Sequence, residues 1–92
     1  MIQKQVKVCN RLGIMARASS DIIRVVQKYE TTQVYLCSED RRSNTRSIMD
    51  LMMLAAVEDT VLIIEANGPD EEKVVNELQV LIEETFPAND RY

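Results

Sequence analysis

Ninety-two residues, 46% apolar and 28% charged, make one globular domain with a single modest core. A net charge of −4 argues against general nucleic-acid binding, and no apolar run approaches the ~20 residues of a membrane-spanning helix. The N-terminus, Met1-Ile2-Gln3-Lys4-Gln5-Val6, has no signal-peptide apolar core, so the expected setting is the cytoplasm. The chain has no histidine, and Cys9 and Cys37 lack a C-x-x-C spacing. No metal site is therefore expected, and both cysteines read as reduced thiols packed like small hydrophobes.

The charge is unevenly spread. Residues 1–46 hold nine Lys/Arg against four Asp/Glu, a balance of +5, and residues 47–92 hold two against eleven, a balance of −9. The first reading is a surface whose halves attract each other once folded. The alternative is that Arg11, Arg17, Arg41, Arg42 and Arg46 face an acidic or phosphorylated partner.

Ile2, Val6 and Val8 alternate with Gln3, Gln5 and Lys7, which predicts a strand with one wet face, interrupted only by Lys4. Asn10 to Gly13 is a loop. From Ala16 the period lengthens, and Ile22, Ile23, Val26 and Tyr29 mark one face of a helix ending near Lys28 or Glu30. Thr32 to Cys37, rich in β-branched and aromatic residues, is a second strand. Ser38-Glu39-Asp40 is a turn, with a short polar strand around Arg41 to Asn44. Ser47 starts a short apolar helix through Leu51 or Met53.

Thr60 to Ala66 is the strongest strand pattern, with Val61, Leu62, Ile63 and Ile64 in succession. Gly68-Pro69 ends it. Pro69 suits the first helical position, and Asp70, Glu71 and Glu72 sit where a helix dipole favours anions. Val74, Val75, Leu78, Leu81 and Ile82 line a final helix to about Thr85, Phe86-Pro87 ends it, and Ala88 to Tyr92 is a frayed tail. The order βαββαβα, without repeat or linker, gives a two-layer α/β sandwich.

Three segments at characteristic spacing carry a resemblance. Gly13-Ile14-Met15-Ala16-Arg17-Ala18-Ser19, Arg46-Ser47-Ile48-Met49 and Gly68-Pro69-Asp70-Glu71 are similar to segments of HPr, the histidine-containing phosphocarrier of the bacterial sugar phosphotransferase system. The resemblance covers about residues 2–85 of a single domain, 1–92. It implies an α+β open-faced sandwich, with an antiparallel four-stranded sheet in the order 1-4-2-3 and three helices on one face.

In that family the third residue of Gly-Leu-His-Ala-Arg-Pro-Ala carries the phosphoryl group. That position is Met15 here, and Ala18 replaces the proline. A thioether has no lone pair basic enough to hold a phosphoryl group. Gly13, Met15, Ala16 and Arg17 are thus expected to be a remnant of the phosphoryl site, in which free helix N–H groups and a fixed arginine charge cradle an anion. Ser19, Ser20 and Cys9 lie close enough to be considered as substitute acceptors. An activated nucleophile needs a base or a depressed pKa, and no histidine supplies one, so local capping and a polar helix face are the better readings.

Ser47 matches the serine that a dedicated kinase phosphorylates in many members, with Asn44 three residues before it. Ser47-x-x-Asp50 is equally a capping box, which stabilises a helix with no function attached. Asp50 departs from the glycine common in kinase-regulated members, and its carboxylate would repel a phosphate. Arg42 and Arg46 are candidate counter-charges. The resemblance implies a partner-docking surface at Arg17, Arg46, Ile48, Met49, Leu51 and Met52, with Met53 beside them; core packing claims about half of the apolar ones. Outward-facing Val61, Ile63 and Tyr35 form a further apolar patch suited to self-association.

The expected function is therefore a regulatory and docking protein, not an enzyme, without cofactor, metal, direct nucleic-acid or membrane binding. Its expected partners are proteins of the phosphotransferase and catabolite-regulation type, including an HPr kinase. A phosphocarrier with a substitute acceptor and an oligomerising module with both phosphorylation sites lost are the alternatives.

Overall fold

The computed structural model describes residues 1–9 and 13–85, except the side chain of Thr85; the expectations for Asn10 to Leu12 and for Phe86 to Tyr92 lie outside them. The elements are β1 (Ile2–Lys7), α1 (Ala16–Val26), β2 (Gln33–Cys37), β3 (Arg42–Asn44), α2 (Ile48–Met53), β4 (Val61–Asn67) and α3 (Glu71–Val80). The sheet is antiparallel in the order β1-β4-β2-β3. β4 lies between β1 and β2, which explains its unbroken apolar run: Leu62, Ile64 and Ala66 enter the core, while Val61, Ile63 and Glu65 point to the open face. Val6, Val34 and Leu36 join them from the neighbouring strands, against Ile22 and Val26 of α1 and Val74, Val75 and Leu78 of α3.

Three helix boundaries differ from the sequence expectation. α1 ends at Val26, short of Lys28 or Glu30. Pro69 precedes the helix instead of opening it, since Asp70 is the N-cap and Gly68 N–H donates to Glu71 Oε1 at 3.2 Å. The final helix ends at Val80, and Leu81–Thr85 wind into one wider π turn. In that turn the Ile82 carbonyl accepts both the Cys9 N–H (3.2 Å) and the Cys9 thiol (2.7 Å), which anchors it beyond the end of β1.

Part of the charge asymmetry is met inside the fold. Arg41–Asp50, Arg42–Glu65, Lys28–Glu77 and the N-terminal ammonium with Glu71 each join the basic half to the acidic half.

Arg46 has a structural task that its sequence position does not reveal. Its Nη2 donates to the carbonyls of Val26 (3.2 Å), Tyr29 (2.8 Å) and Thr32 (3.2 Å), adding to the turn bonds that Val26 O and Tyr29 O accept from the Tyr29 and Thr32 N–H groups past the end of α1. An Arg46→Met substitution keeps the aliphatic stem and removes these bonds. It is expected to destabilise the fold by about 2 kcal/mol and lower Tm by about 10 °C, read by urea and thermal denaturation.

A second tie joins α1 to α3. Lys28 Nζ lies 2.6 Å from Glu77 Oε2, and the Tyr29 hydroxyl donates to Glu77 Oε1. Burial pushes the Glu77 carboxyl up, but the hydrogen bonds from Lys28 and Tyr29 and the Lys28 charge outweigh it and hold the group below its ordinary value. The hydrogen bond to Glu77, burial, and the charges of Glu77 and Asp70 raise the Tyr29 phenol. The Glu77 contribution is present above its unfolded pKa and is lost as pH falls through the depressed folded value. The Tyr29 contribution is present below its unfolded pKa and is lost as pH rises through the raised folded value. Glu77→Gln is expected to flatten stability against pH on both the carboxylate and the phenol limbs, measured by urea denaturation across pH.

Candidate functional site

Two loops meet at the start of α1. Gly13 has φ 73°, and a Cβ there would lie 2.1 Å from the Ala56 carbonyl oxygen and 2.9 Å from Val57 Cα. The neighbouring Ile14 N–H donates to Ala56 O at 2.9 Å. Ala55, just past α2, is itself left-handed at φ 52°. The segment entering α1 is thus bonded to the segment leaving α2, and Ile14 is sealed into the core between them.

Met15 follows as the N-cap of α1. It is extended, makes no side-chain cap, and is 56% exposed. Its carbonyl accepts the Ser19 N–H at 2.8 Å, the first bond of the helix. Ala16 and Arg17 are exposed in the first turn beside Met15, while Gly13 is buried at the loop join. The substitute acceptors fare unequally. Ser19 is fully buried and its hydroxyl has no hydrogen-bond partner among the described residues, so no donor can reach it. The Cys9 thiol is committed to Ile82 O. Ser20 is exposed.

Ser47 is the N-cap of α2 and its Oγ accepts the Asp50 N–H at 3.2 Å. Only half of the capping box forms, because the Asp50 carboxylate turns elsewhere. Its Oδ2 accepts the Asn44 N–H (3.2 Å) and its Oδ1 meets Arg41 Nη2 (3.3 Å). The Ser47 N–H donates to Asn44 O at 3.1 Å. The counter-charges are also redistributed. Arg46 Nη2 caps α1, and Arg42 stacks 3.8 Å from the Tyr35 ring centroid while its Nε donates to Glu65. The cation paired into α2 is Arg41. Sequence reasoning placed Arg41 in the basic half without linking it to Asp50; only the β2–β3 hairpin brings the two together.

On α2, Met49 is 70% exposed, Ile48, Met52 and Met53 are exposed, and Val57 continues the apolar surface beyond the helix. Leu51 is a correction: it is fully buried and, with Leu54, packs into the core, so it offers nothing to a partner. A six-residue helix has room for only one buried stripe, and the two leucines fill it. The open sheet face is less apolar than expected. Arg42 covers Tyr35, and Gln3 Nε2 joins Arg42 on the Glu65 carboxylate, leaving exposed Val61 and half-buried Ile63.

This βαββαβα sheet order, with an exposed arginine in the first turn of α1 and a serine-capped short helix, has relatives. Residues 2–84 match the family model described as the PTS HPr component phosphorylation site. The chain belongs to the HPr family. It is 36% identical to the phosphocarrier protein HPr of Neisseria meningitidis, over 94% of this chain and 96% of that protein. It is 30% identical to the HPr-like protein Crh of Bacillus subtilis, over 91% and 98%. The crystal structure of HPr-C-His from Thermoanaerobacter tengcongensis superposes with a TM-score of 0.86 at 28% identity, covering 94% and 96% of the two chains. A crystal structure of the same Crh, described as a swapping-domain dimer, has a TM-score of 0.71 at 29% identity, over 89% and 93%. The relatives named HPr are phosphocarrier proteins, not enzymes. No helix among the described residues is long and apolar enough to cross a membrane.

Proposed function

We propose that this HPr-family protein is a cytoplasmic regulatory and docking component of the phosphotransferase system that carries no phosphate on histidine and is regulated by phosphorylation at Ser47. The observation that carries the reading is Met15: the family's phosphoryl position is filled by an exposed thioether at the N-cap of α1. Around it, Arg17 and the exposed Ile48, Met49 and Met52 supply a charge and an adaptable apolar surface for protein partners. Asp50 is less of an obstacle to a phosphate on Ser47 than its sequence position implies, because Arg41 already compensates its charge.

Two incubations test this. With Enzyme I and phosphoenolpyruvate the intact mass stays unchanged; an acid-labile or thiol-linked phosphate would instead establish a substitute acceptor. With an HPr kinase and ATP one phosphoryl group is gained at Ser47. An unlabelled protein beside a labelled HPr control sinks the regulatory part. Self-association is a second reading, favoured by the swapping-domain dimer of Crh; light scattering decides it.

A further inference from the structure

Methionine is usually a core residue, yet every methionine of this chain is exposed. Met53 is exposed beside a polar partner. Its Sδ lies 3.6 Å from Arg41 Nη2, the nitrogen that also meets Asp50 Oδ1 at 3.3 Å. A thioether is a weak acceptor, so this contact contributes little as it stands. The same guanidinium holds a second donor, Nε, which is buried and has no hydrogen-bond partner among the described residues. An unsatisfied buried donor is costly, and on a planar guanidinium Nε and Nη2 point out along one edge. That edge presents one donor in contact with a sulfur and another with nothing to bind.

We propose that Met53 is a reversible oxidation site whose sulfoxide is received by Arg41. In the reaction the Met53 sulfur attacks the electrophilic oxygen of a hydroperoxide. An S–O bond forms and the O–O bond breaks. The sulfur loses two electrons, and the leaving oxygen takes a proton and departs as water or alcohol. The new oxygen is a strong acceptor one bond from a sulfur already touching Nη2, and it supplies the acceptor that Nε lacks. Met53 is 56% exposed and Leu51 and Leu54 hold the core positions of α2, so the sulfur is reachable without unfolding. Oxidation would draw Arg41 toward Met53 and loosen its hold on Asp50, which changes the charge balance of α2.

The test uses the full chain with Met15, Met49 and Met52 replaced by leucine, so that Met53 is the one methionine of the helix region, with and without Arg41→Gln. Each protein is treated with hydrogen peroxide, and peptide mass mapping confirms the added oxygen on Met53. The expected result is that oxidation leaves Tm unchanged or raises it with Arg41 present and lowers it in the Arg41→Gln background. The Arg41 Nε–H resonance should shift on oxidation and return after methionine sulfoxide reductase. Equal Tm changes in the two backgrounds, or an unmoved Nε–H signal, overturns the proposal. These readouts involve no phosphorylation, so they stand or fall independently of Ser47.

Discussion

Replacing Met15 by histidine is expected to turn a chain that Enzyme I leaves unlabelled into one that accepts a single acid-labile phosphoryl group from phosphoenolpyruvate. The position tolerates the change: Met15 is more than half exposed, has the extended backbone of an N-cap, and packs into no core site. An imidazole there would face the free N–H groups of the first turn of α1, with Arg17 two residues on to hold phosphoryl oxygens. Labelling should be slower than in an ordinary HPr, because Ala18 stands where the family has proline and the helix start is less preorganised. The chain has no other histidine, so intact mass and acid lability assign the product without ambiguity. An unlabelled Met15→His protein would mean that the surroundings, and not only the acceptor, have ceased to form a phosphoryl site.

The largest single loss of stability is expected from Gly13→Ala. The backbone at φ 73° costs an alanine about 1–2 kcal/mol. The added Cβ would sit 2.1 Å from Ala56 O and 2.9 Å from Val57 Cα, backbone atoms that move only with the chain. Relieving the overlap pulls Ile14 N–H from Ala56 O and opens the join between the entry of α1 and the exit of α2. Together these effects should cost about 3 kcal/mol or more, lowering the urea midpoint without a matching fall in m. Hydrogen exchange should rise first at Ile14 and Ser19, whose amides are bonded at that join and at the first turn of α1. A near-neutral Gly13→Ala would show that the two loops are not in tight contact.

Most of the fold was legible because its elements carry clean periodicities. β4 is central, so its apolar run needs no interpretation, and α1 is written by Ile22 and Val26 recurring one turn apart. The helix ends were less legible. Pro69 fits a first helical position, but Glu71 bonds back to Gly68 N–H and moves the start of α3 two residues on. Nothing local signals the π turn at Leu81–Thr85, which is held by the partners of Ile82 O across the molecule.

The site divides in the same way. That the chain has no histidine, and that Ser47 can cap a helix, are facts of residue type and spacing, available without coordinates. Which arginine serves which acceptor is not. Arg41, Arg42 and Arg46 are near-equivalent in sequence, yet one holds Asp50, one covers Tyr35 and Glu65, and one closes the end of α1. A long cation is assigned by whatever carbonyl or carboxylate the chain delivers within its reach, and delivery depends on contacts between residues far apart in sequence. For the same reason Leu51 turned inward while its methionine neighbours stayed outside. The sequence by itself determined the βαββαβα order, the family and the absence of histidine, because these rest on local periodicity and residue chemistry. Only the tertiary structure decided the partners of the arginines, the sealed loop join at Gly13 and the contact between Met53 and Arg41, because each is made between segments that meet only when the sheet and helices pack.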